Sequence, residues 1–181
     1  MSIVHRIRRW AGREPGLASH LIGILLTMMI VVTAHFTVES EWAYFLRHMS
    51  VLSAWGGVCV LLQQLINWSR MPGRIRVVWA ATDVLFFTWI LYMADPPRGP
   101  LLVGYSLLIA ASGLFNRVQL VALTTVLTVL AFIMLMVWSP GEIDKPHFCA
   151  IFVVGLLVLG GIVGGIVRRH QLLRQYYEKG V

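Results

Sequence analysis

Residues Phe148 to Arg169 read FCAIFVVGLLVLGGIVGGIVRR, twenty apolar or small residues that end on two arginines. A helix of that length spans about 30 Å, the thickness of a bilayer's hydrocarbon core. No charge interrupts it, so the run reads as a transmembrane span stopped by Arg168-Arg169 at the membrane surface. The same pattern recurs upstream. Apolar runs cover about 17–38, 45–66, 75–94, 101–115 and 118–138. Pro96-Pro97 with Pro100, then Asn116-Arg117, then Ser139-Pro140-Gly141 break the helices between the later runs, because proline lacks an N–H and clashes with the preceding turn. The expected fold is therefore all-α, a polytopic bundle of six transmembrane helices over 17–167. A basic tail precedes it over 1–16, and a basic helical tail follows over 168–181. The run at 101–115 is short, about 22 Å, and is expected to be sheltered by its neighbours.

Composition agrees. Of 181 residues, 58% are hydrophobic and 13% charged, half the charge usual in a soluble domain, so lipid is the solvent for most of the chain. Val32-Thr33-Ala34 offers small residues to a signal peptidase, but the first run stays apolar through Phe36 and Val38 and is long enough to span. The net charge of +7 does not indicate nucleic acid, because the basic residues lie between apolar runs rather than on one water-exposed face. Arg6, Arg8, Arg9, Arg13, Arg70, Arg74, Arg76, Arg117, Arg168, Arg169, Arg174 and Lys179 fall on one side of a six-span layout; Arg47, Arg98 and Lys145 fall on the other. Positive residues are retained in the cytoplasm, so both termini are expected there, in the cell inner membrane.

No catalytic motif is found. Gly160-Gly161-Ile162-Val163-Gly164-Gly165 lies within a span, without the preceding strand and following lysine of a phosphate-binding loop. Kinase loops, a Gly-x-Ser-x-Gly elbow and a His-Glu-x-x-His pair are missing as well. The chain is expected to be no enzyme and to carry no cofactor. Cys59 and Cys149 have no second cysteine or histidine at zinc-ligand spacing and read as filler.

Four features remain. Asp83 is the acidic residue inside a span, and a carboxylate in lipid needs a partner or a proton. Gln63, Gln64, Ser112, Arg117 and Gln119 reach its level, which gives either a structural polar cluster or one step of a proton relay. His35, Glu39, Glu41, His48 and His147 gather toward the opposite surface, either as simple hydrogen-bonders or as ligands for a divalent ion. Gly160 with Gly164 and Gly161 with Gly165 form interleaved small-residue pairs that allow close helix packing, within the bundle or against a second copy. In the tail, Leu172, Leu173, Tyr176 and Tyr177 form an apolar stripe that either lies on the anionic leaflet or pairs with another helix.

Several stretches resemble the membrane region of planctomycete serine/threonine protein kinases. They are Arg8-Arg9-Trp10, Ala80-Ala81-Thr82-Asp83-Val84-Leu85, the segment from Leu102-Val103-Gly104-Tyr105 to Arg117-Val118, Lys145-Pro146-His147, Val167-Arg168-Arg169, and Arg174-Gln175-Tyr176-Tyr177-Glu178. The resemblance implies a multispan anchor or sensor joined to a cytoplasmic kinase domain. Met1 lies a short basic tail from the first span, so that domain is expected to be missing here, and no kinase residue carries over. The reading is a non-catalytic anchor or sensor module acting through the bilayer and a signalling partner or second copy, met through the last span and tail. The alternative is a small transporter or channel, or a membrane-embedded enzyme. Transport would favour repeats and charges at several depths.

Overall fold

The computed structural model describes residues 24, 25, 27–29, 32, 33, 42–69, 71–94, 99–138 and 146–179. Most of the first apolar run, with His35, Glu39 and Glu41, lies outside the described residues. The described residues are all helical in their regular structure. The elements are α1 (Trp42–Trp68), α2 (Pro72–Met93), a 3₁₀ turn (Gly99–Leu102), α3 (Val103–Gly113), α4 (Val118–Trp138) and α5 (Pro146–Lys179). Four of them, α1, α2, α4 and α5, are long and apolar enough to cross a membrane. The chain divides into two compact units, Met1–Ile75 and Arg76–Val181.

In the first unit α1 extends beyond the run expected at 45–66 in both directions. Its buried residues His48, Leu52, Trp55, Cys59, Leu62 and Ile66 recur every three or four positions, so one stripe of the helix is covered. Gln64 is exposed on another face.

The second unit starts within α2. Pro72 opens that helix where its missing N–H costs nothing, which moves the start three residues ahead of the apolar run. The run at 101–115 becomes a 3₁₀ turn followed by eleven residues of α-helix. Leu102, Tyr105, Ile109 and Ser112 are buried, and α3 packs on both α4 and α5. Together the two pieces rise only about 24 Å, so neighbouring helices shelter what the segment is too short to span. Gly104 permits a close approach here, since a Cβ at that position would land in the Phe87 ring.

α4 is bracketed by Arg117 and Ser139-Pro140, with bounds set by those flanks. It is 21 residues long, about 31 Å, one hydrocarbon thickness. Its antiparallel neighbour α5 touches it through Phe132 and Phe152, ring centroids 4.7 Å apart. α5 continues past Arg168 and runs 34 residues to Lys179 as one helix, because the sequence has no proline, glycine or asparagine between Val167 and Lys179.

Candidate functional site

The polar groups of the second unit fall into an interior set and a corner. Inside, α2 and α3 run antiparallel. Tyr105 meets Phe87 edge-on at 5.2 Å, and its hydroxyl lies 2.9 Å from that of Thr88. Thr88 donates to the Val84 carbonyl, so the tyrosine donates to the threonine in a short chain. One helical length away Trp79 meets Phe115 at 6.3 Å. Between these two contacts the register places Asp83 within a turn of Ser112, and both are buried, Asp83 at 2% exposure. Arg117 and Gln119 are exposed beside the turn that follows. Gln63 and Gln64 belong to the first unit. Gln63 is buried and donates to Asn67 Oδ1 at 3.3 Å, and its Oε1 has no hydrogen-bond partner among the described residues.

The buried hydroxyls are turned back onto their own helices. Ser112 donates to the Ile109 carbonyl, Thr124 to Leu120, Thr125 to Val121 and Thr128 to Thr125, all at 2.6–2.9 Å. Hydroxyls used in this way satisfy themselves in an apolar medium, on their own helix rather than across to a neighbour.

The corner lies where the α3–α4 turn meets α2 and α5. Leu114, Phe115 and Asn116 donate their N–H groups to the carbonyls of Ala111, Ser112 and Gly113. Asn116 reverses the chain at φ 52°, a left-handed conformation that asparagine tolerates better than most residues. Its carbonyl accepts a 2.6 Å bond from Gln171 Nε2, across 55 residues of sequence. On the same turn the Phe115 ring carries the Arg76 guanidinium, 6.0 Å from its centroid. None of the sequence features pointed to the Asn116–Gln171 bond; the asparagine before Arg117 was its one visible trace.

The four clustered glycines separate. Gly160 is seated on α4, where an added Cβ would collide with the Thr125 side chain. Gly161, Gly164 and Gly165 have nothing within 4 Å of such a Cβ. Gly113 makes a second close contact with α5, since its Cβ would lie 2.7 Å from Val163 Cγ1.

His48 is buried, its Nδ1 2.9 Å from the Tyr44 carbonyl on its own helix, and His147 is exposed. Among the described residues no three His, Cys, Asp or Glu side chains stand together for a metal. A groove of about 520 Å³ between α4 and α5, lined by Phe132, Met136, Cys149 and Val153, is apolar. Cys59 and Cys149 form no disulfide, and Cys59 is fully buried.

The described part of the protein is thus an all-helical chain with four helices fit to cross a membrane. No protein-family model, curated protein or solved structure matches it.

Proposed function

We propose that this protein is a multi-pass anchor and sensor module of the inner membrane, crossing it six times with both termini in the cytoplasm and acting through a partner reached by α5. The supporting observation is α5 itself, an unbroken helix seated on Thr125 in its middle and tied at Gln171 to the α3–α4 turn. Without a hinge, a shift of the bundle moves Leu172 and Tyr176 with it. The kinase resemblance supplies the class of partner in this proposal, a cytoplasmic serine/threonine kinase. Hydroxyls spent on their own backbones argue against the transport alternative, which needs polar groups facing a path.

The layout is tested by thiol labelling of intact cells, with Cys59 and Cys149 replaced by serine. Ser40→Cys and Gly141→Cys should react with an impermeant reagent, and Gly73→Cys should not. Labelling at Gly73 would overturn the six-span arrangement. Crosslinking from Gly164→Cys or Leu173→Cys in native membranes then tests the coupling. An adduct with another protein or a second copy supports it, and the absence of any adduct at both positions reduces the module to a passive bundle.

A further inference from the structure

The Asn116–Gln171 bond fixes the depth at which α5 leaves the bundle. α4 spans one hydrocarbon thickness, so Asn116 and Arg117 at its start lie where hydrocarbon gives way to headgroups. Gln171, bonded to the Asn116 carbonyl, lies at the same boundary. The headgroup layer adds about 5–7 Å on each side, or four to five residues of helix. Leu172 and Leu173 therefore fall inside that layer, and Tyr176 and Tyr177 at its water-facing edge. Arg168 and Arg169 start about one turn lower, and their long side chains reach up to the same layer.

The bond also fixes which way this segment faces. Four-residue spacing stacks Arg168, Leu172 and Tyr176 in one column and Arg169, Leu173 and Tyr177 in the next. Gln171 is held against the turn, so the Arg169, Leu173 and Tyr177 column lies on the opposite side, pointing away from the bundle, and the Arg168, Leu172 and Tyr176 column flanks it. All six side chains are exposed, Leu172 at 57% and Tyr176 at 75%.

We infer that the outward face of α5 from Arg168 to Tyr177 is a docking surface for anionic phospholipid headgroups of the leaflet it passes through. Guanidinium groups pair with phosphate in a bidentate fork, and tyrosine rings settle at headgroup depth. A second copy would set Arg168 and Arg169 against their equivalents at one depth, where like charges repel. A cytoplasmic protein would reach only the outer edge of the face. The inference rests on the membrane reading above and names the stimulus for it: the headgroup charge of one leaflet.

The test uses the full chain reconstituted in vesicles of phosphatidylcholine alone or of phosphatidylcholine with phosphatidylglycerol. A nitroxide on Leu173→Cys, with Cys59 and Cys149 replaced, reports accessibility to a water-soluble nickel chelate. Phosphatidylglycerol should lower that accessibility several-fold. Arg168→Gln with Arg169→Gln should abolish the difference, at roughly fivefold for each arginine near an anionic surface, and Arg168→Lys with Arg169→Lys should keep it. High salt should weaken it. Equal accessibility in both vesicles, with the protein inserted, overturns the inference and leaves the module reading standing. Failure of the chain to insert overturns both. A difference that survives the double glutamine change also overturns it, since charge would then not be the cause.

Discussion

Leu156 and Leu157, and Gly160 and Gly161, are neighbours in sequence with opposite fates. Leu156 and Gly160 face α4, where Leu156 is 1% exposed and Gly160 seats on Thr125. Leu157 is 51% exposed, and Gly161 opens onto empty space. The contrast extends over the helix. In α5, 17% of the most apolar window is buried, against 39% in α1, α2 and α4, so most of that window is left exposed among the described residues. Hydrophobicity alone does not choose a packing face in a membrane, because lipid is as apolar as leucine; shape and close approach do.

The sharpest way to break that comparison is the glycine pair. Gly160→Ala forces a Cβ onto a β-branched neighbour and should cost about 1–3 kcal/mol. Gly161→Ala should instead stabilise by up to about 1 kcal/mol, since alanine is the better helix former and has room. Thermal unfolding in detergent reads both, and equal losses at the two positions would show that the outward face is packed. The leucine pair comes next. Leu156→Ala should cost about 2 kcal/mol, below the value usual in a soluble core because the transfer part is lost in an apolar solvent, and Leu157→Ala within about 0.5 kcal/mol. Asp83→Leu should cost about 1–3 kcal/mol as its buried contacts lose a polar partner. If stability were unchanged while a proton flux in vesicles disappeared, a relay would replace the structural role. A smaller loss than at Asp83 is expected of Gln171→Ala, about 0.5–1.5 kcal/mol for one hydrogen bond, together with greater mobility of a spin label at Tyr177→Cys. A label equally ordered in both proteins would show that the bond does not hold the tail.

Local features of the sequence carry much of this fold. Pro72 marks the start of α2, and Arg117 with Ser139-Pro140 delimits α4. The shortness of the α3 run shows in the distance from Pro100 to Asn116. What spacing cannot resolve is which of two interleaved glycine pairs is used, because Gly160/Gly164 and Gly161/Gly165 are equivalent on one helix. Only the position of Thr125 on α4 separates them, and even then Gly164 stays open while Gly160 packs. The polar set expected around Asp83 resolves in a similar way. Asp83 and Ser112 are buried at one level, but Arg117 and Gln119 turn outward because the left-handed residue before them swings the chain away. The Gln171 contact had no local signature, being a meeting of the α3–α4 turn with the body of α5 that only the parallel run of α3 and α5 brings together.

One consequence of the two attachments on α5 is mechanical. A single helix free to slide would meet a thinner or thicker bilayer by moving along its own axis. α5 cannot do so without unseating Gly160 from Thr125 and parting Gln171 from Asn116 at once. A mismatch in thickness must therefore be taken up by α3, α4 and α5 tilting as one body. The 34-residue helix, about 51 Å long, then acts as the arm of a lever, turning a small tilt in the hydrocarbon into a larger sideways sweep at Tyr177.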